Sequence, residues 1–140
     1  MYRSGRGVDD IFDPFEHLYH RCSKQYLDGN RVLPAGIRYA NMSVNRQKYS
    51  EPEDVIFGYP GFGIIRFIVK MIPAYLKSDG GMTWEFRPAH VPEEDNYAHS
   101  EIHAYKDGNR VTKPQPPELI KKKYRQIMSD HAVVLREPTQ

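Results

Sequence analysis

The chain of 140 residues contains a single cysteine, Cys22. No intrachain disulfide can form, and a four-thiolate zinc site is excluded, which fits a reducing compartment. Neither charge sign dominates: 20 Lys and Arg stand against 18 Asp and Glu, for a net charge of +2, so bulk electrostatics names no partner. Long apolar runs are missing as well. The longest, Gly63 to Pro73, is interrupted by Arg66 and Lys70, and the N-terminal M-Y-R-S-G-R-G-V-D-D has no apolar signal core. Neither export nor membrane spanning is expected on that basis, and the chain reads as cytoplasmic with no membrane partner. Internal repeats are absent, and the length suits one domain.

With 39% hydrophobic and 27% charged residues, the composition is that of a folded chain. Eleven prolines and ten tyrosines predict many loops around a small core covered by amphipathic aromatics. The expected plan is a flexible arm over 1–10, one globular domain over 11–136 and a tail over 137–140. Its fold class is α+β, a mainly antiparallel sheet with an N-terminal and a C-terminal helix.

The N-terminal helix is predicted from Asp13-Pro14-Phe15-Glu16, which offers a cap, a first-turn proline and a capping-box acid. Phe15, Leu18, Tyr19, Cys22 and Tyr26 follow at helical spacing, with Asp28-Gly29-Asn30 as the stop. Cys22 then belongs to the buried stripe. Ser50 and Glu53 repeat the capping pattern ahead of a short second helix ending at Gly58, while Arg31 to Ala40 reads as irregular or edge structure. Ile64 to Ile72 is the strongest strand and is expected at the sheet centre. Pro73 to Lys77 suggests a helical turn, and Met82, Trp84 and Phe86 alternate as a half-buried strand. Lys106-Asp107-Gly108-Asn109 is a hairpin turn leading to Arg110–Thr112, and Lys113 to Pro117 breaks the sheet. Leu119, Ile120, Tyr124, Ile127 and Met128 predict the C-terminal helix, with Lys121, Lys122, Lys123 and Arg125 giving it a basic side. A last strand is expected within His131 to Arg136.

The most asymmetric segment is Tyr97 to Tyr105. As a strand it places Tyr97, His99, Glu101, His103 and Tyr105 on one face, and Ala98, Ser100, Ile102 and Ala104 on the other. His99 and His103, four residues apart, are separated by ~13 Å along a strand. Metal bonds near ~2 Å do not let them share an ion. Glu101 with one histidine would need further ligands from His17, His20, His90 or Asp95, so no metal and no other cofactor is assigned. General acid–base chemistry fits better, with His99 and Glu101 as the catalytic pair. The polar stretch from Asn41 to Ser50 supplies Ser43, Asn45, Arg46, Lys48 and Tyr49, which with Tyr97 and His103 form the expected substrate-binding set. Arg46 and Lys48 would hold an anionic or nucleotide-like substrate. The competing reading is a non-catalytic module that contacts protein or nucleic acid through the same strand face and the basic C-terminal helix. A purely structural role for the strand face is the third reading. Oligomeric state is not set by these features.

The phrases S-V-N-R-Q-K-Y-S-E-P-E-D-V from Ser43 and N-Y-A-H-S-E-I from Asn96 resemble those of small uncharacterised bacterial proteins that carry similar phrases in this order. That resemblance implies a discrete domain and supplies no mechanism. Arg21, Ser43 and Glu101 also occur in the order arginine, serine, glutamate, which resembles the ADP-ribosyltransferase fold of that type, where an early arginine, a serine on a middle strand and a late glutamate form the site. Three features depart from it: Arg21 falls within the predicted helix, the middle serine motif is incomplete, and position 99 is His. His99-Ser100-Glu101 does not extend to a zinc deaminase signature, because the downstream cysteine pair is absent.

Overall fold

The computed structural model describes residues 7–39, 41–78, 80–111 and 117–139. Among them the strands are β1 (His17–Cys22), β2 (Leu27–Asp28), β3 (Arg31–Val32), β4 (Met42–Arg46), β5 (Gly63–Ile68), β6 (Leu76–Lys77), β7 (Thr83–His90), β8 (His99–Lys106), β9 (Asn109–Val111) and β10 (Val133–Arg136). One α-helix, α1 (Glu118–His131), precedes β10. The main sheet runs β10-β5-β1-β4-β8-β7-β6, with β9 also paired to β8, and the strands pair antiparallel throughout. β2 and β3 form a separate hairpin.

The expected N-terminal helix is absent, so the fold is a curled antiparallel sheet with α1 as its one α-helix among the described residues. The capping residues close a turn instead. Phe15 N–H donates to Asp13 Oδ1 at 2.8 Å, and Glu16 N–H donates to the Asp13 carbonyl at 3.0 Å. The chain then extends, with Glu16, Leu18 and Cys22 buried and Phe15 66% exposed. All six residues of β1 pair with β5, and Leu18 and Tyr19 pair with β4 as well. Hydrogen bonds from both flanking strands outweigh the local helical signals.

Other expectations shift less. The segment after Ser50 is a 3-10 helix, Pro52–Ile56, whose capping box uses Glu51 and Asp54, one residue beyond the expected pair. β5 lies next to the β10 edge and not at the centre, paired with β1 on one side and β10 on the other, and it ends in a 3-10 turn at Val69–Met71. Pro73 to Lys77 contains β6, paired with β7, in place of a helical turn. The hairpin at Asp107 and Gly108 forms as expected, with φ of 47° and 84° at the two corner residues. Thr112 and Lys113 to Pro116 of the expected hairpin end and breaker lie outside the described residues, as do residues 1–6 of the arm.

One sheet face packs on α1. Leu18, Cys22, Met42, Val44, Ile65, Phe67, Trp84, Phe86, Ile102 and Ala104 meet Ile120, Tyr124 and Met128 of the helix in a single cluster. Cys22 is a core residue, and burial pushes its thiol up to about 11, which disables it as a nucleophile. Arg125, on the side expected to be basic, donates Nε–H to the Ile37 carbonyl at 3.0 Å and so helps dock α1. The opposite sheet face carries the polar residues. Ser43 pairs with Glu101, Asn45 with His99 and with Tyr19, and Arg87 with His103, so these side chains share that face. Among the described residues no helix is long and apolar enough to cross a membrane.

Candidate functional site

β1 and β4 pair only at Leu18 with Arg46 and Tyr19 with Asn45. Beyond that point the two strands part. His20 fills the gap, its Nδ1 donating to the Ser43 carbonyl at 2.7 Å in place of the missing ladder bond. Burial pushes the His20 imidazole down to about 4, with the Ser43 bond partly opposing that shift. His20 is therefore neutral near pH 7.

On the polar side, over this parting of the strands, lies a cavity of about 710 Å³. That volume suits a ligand of nucleotide size. Ser43, Asn45, His99 and Arg21 contribute from the strands, Tyr49 and Tyr97 from the flanking turns, and Asp54, Phe57 and Tyr59 from the far rim. Arg21 is the one Lys or Arg among the described lining residues. Its guanidinium lies 4.0 Å from the centre of the Tyr59 ring.

At the cavity wall Ser43 Oγ stands 3.2 Å from His99 Nε2, and His99 Nδ1 stands 2.8 Å from the Val91 carbonyl. A carbonyl only accepts, so Nδ1 carries the proton. With Nδ1 so occupied, the unprotonated Nε2 is the atom that can accept from the Ser43 hydroxyl. A hydroxyl, an imidazole and a backbone carbonyl thus stand in sequence. Ser43 is exposed while His99 is only 9% exposed, so the hydroxyl faces the cavity and the imidazole lies behind it. Beside them Asn96 Nδ2 donates to Asn45 Oδ1 at 2.8 Å, and Glu93 Oε2 lies 4.0 Å from His99 Nε2.

The residues expected to form the site are divided by the fold. Ser43, Asn45, Tyr49, Tyr97 and His99 line one cavity, although Tyr97 belongs to the turn before β8 and not to the strand. Glu101 and His103 share the face of His99 but lie outside the cavity lining, and Glu101 Oε1 meets His103 Nε2 at 2.9 Å. Arg46 projects to the other side. It is fully buried, bound to both carboxylate oxygens of Glu16, with Phe12 stacked at 3.8 Å. Lys48 Nζ binds Asp9 at 2.9 Å, and the Tyr49 hydroxyl donates to the same carboxylate. The Tyr49 bond first, then Lys48, hold the Asp9 carboxyl well below the usual range.

Arg21, His20, Val91, Asn96 and the Phe57 and Tyr59 rim were not in the expected substrate-binding set, although Arg21 entered through the ADP-ribosyltransferase resemblance and His20 as a possible metal ligand. Arg21 was hidden by the helical reading of its segment, since alternation over 17–22 places it on one face with Tyr19. Val91 acts through its backbone, which side-chain patterns do not report. Among the described residues no three His, Cys, Asp or Glu side chains are grouped to hold a metal ion. Comparison with family models, curated proteins and solved structures gave no match.

Proposed function

We propose that this chain is a small enzyme that acts on an anionic, nucleotide-like substrate in the cavity, with His99 as the base on the Ser43 hydroxyl and Arg21 as the anchor for the anionic group. The observation that carries the reading is the hydrogen-bonded series from Ser43 Oγ through His99 to the Val91 carbonyl. As Ser43 Oγ attacks the electrophilic centre, His99 Nε2 takes the hydroxyl proton and passes it to the departing group; water then releases the product by the reverse exchange. Arg21 offers a planar fork of donors suited to a phosphate.

A second reading, ADP-ribosyl transfer, is favoured by a separate observation. Arg21, Ser43 and Glu101 sit on β1, β4 and β8, which are neighbours in that order in the sheet, and Ser43 is paired directly with Glu101. Arg21 also lies in a strand, which removes one departure from the family it resembles.

A panel of nucleotides, NAD included, followed by chromatography of products tests both. For the leading reading, Ser43→Ala and His99→Gln each lower turnover by roughly 10²–10⁴ with the melting temperature retained. Retained turnover in both variants overturns the role of the pair. For the second, NAD is consumed with release of nicotinamide and Glu101→Gln removes that activity; intact NAD excludes it.

A further inference from the structure

Phe57 is the most exposed large apolar side chain of the described residues, at 89%, yet its backbone is fixed. Tyr59 N–H donates to the Ile56 carbonyl at 2.8 Å across a corner in which Phe57 has φ −60° and ψ 122° and Gly58 has φ 81°. These are the angles of a type II turn, and glycine supplies the positive φ that its second corner requires. The turn follows directly on the Pro52–Ile56 helix, so the Phe57 ring is carried on a hydrogen-bonded support at the cavity rim. Tyr59, two residues on, is already engaged: Arg21 covers its face and Phe62 meets it edge-on at 5.5 Å between ring centres.

A cation, an aromatic ring in contact with it and an exposed aromatic ring therefore line the same cavity. An apolar ring held in water is unfavourable, and a flat ligand ring laid against it removes that exposure and adds stacking. Arg21 next to this surface offers its fork of donors to an anionic group on the same ligand. We infer that Phe57 is a stacking surface for the base of a mononucleotide whose phosphate meets Arg21. The inference rests on the nucleotide-like reading of the cavity and adds which residue holds the base.

The test titrates AMP and ribose 5-phosphate separately, by calorimetry or NMR, into the wild-type chain and into Phe57→Ala, Phe57→Trp and Arg21→Gln. Phe57→Ala leaves the melting temperature unchanged because the ring is exposed. It weakens AMP binding roughly tenfold, within the range of base–aromatic stacking, and leaves ribose 5-phosphate unaltered. Phe57→Trp retains AMP affinity, and Arg21→Gln weakens both ligands. AMP bound equally by the wild-type chain and Phe57→Ala overturns the stacking role and leaves the nucleotide reading of the cavity standing. If the wild-type chain binds neither probe, the stacking role and the nucleotide reading both fail, whereas a Ser43-dependent turnover of another substrate class would still identify the active site.

Discussion

Arg46 and Glu16 form a two-point ion pair in the interior, with Nε to Oε2 at 3.0 Å and Nη2 to Oε1 at 2.9 Å. The same guanidinium donates to the carbonyls of Asp9 and Ile11, so one side chain ties β4, the start of β1 and the N-terminal segment together. All of its hydrogen-bonding directions face the protein. The cation that the sequence offers most readily to a substrate is therefore a structural clamp, and Arg21 takes the place beside the cavity.

Removing one member of that pair leaves the other as an uncompensated buried charge. Arg46→Leu is expected to destabilise the fold by about 3–5 kcal/mol, and the double variant Arg46→Leu with Glu16→Leu by clearly less than the sum of the singles. Urea denaturation of the four proteins measures the coupling; additive losses would contradict the pair as the main role of Arg46.

The pair also explains why part of the fold was legible in the sequence and part was not. Leu18 and Cys22 are four residues apart, a spacing that places them on one face of a helix and equally on one face of a strand. Only contacts with β4 and β5 distinguish the two, and Arg46 is 30 residues from Glu16. β8 was readable because its partition into Ser100, Ile102 and Ala104 against His99, Glu101 and His103 fits a period of two and nothing else. Asp107-Gly108 and the apolar spacing of α1 are local signals and survived for the same reason. The two polar segments of the site were visible separately. Their meeting was not, since Ser43 and His99 are 56 residues apart and their contact follows from the β4–β8 register.

His20 gives the chain a pH-dependent stability of defined sign. An unfolded histidine binds its proton near pH 6.5, whereas burial pushes folded His20 down to about 4. Between these values the unfolded state takes up a proton that the folded state does not, so stability falls as the pH drops from 6.5 toward 4 and levels off below. Burial shifts His17 in the same direction and adds to the slope. Denaturation midpoints across this window should decline for the wild-type chain by the equivalent of about 2 kcal/mol, and His20→Gln should flatten the decline; an unchanged slope would remove His20 as its source.

Gly63 lies where β5 meets β10. A Cβ there would stand 2.6 Å from the Arg136 carbonyl oxygen and 2.8 Å from Pro138 Cδ. Gly63→Ala must displace backbone, and a loss of about 1–3 kcal/mol is expected. The contact is specific to the β10 edge, so hydrogen exchange should quicken at Val133–Arg136 first. Uniform protection across β10 in the variant would show that the strand accommodates the methyl group.

The last expectation separates the two cations nearest the question of substrate charge. Lys48 is engaged with Asp9 and lies outside the described lining of the 710 Å³ cavity, whereas Arg21 is in that lining. Once a substrate has been found by the nucleotide panel, Arg21→Gln should raise KM by roughly ten- to a hundredfold, as expected for loss of a charge-assisted contact to a phosphate. Lys48→Gln should leave KM within about twofold, because it alters a surface ion pair. The affinity of the wild-type chain should weaken as salt is added, and that dependence should shrink in Arg21→Gln while persisting in Lys48→Gln. The opposite ranking would move the anion site from the β1 side of the cavity to the Asp9 cluster.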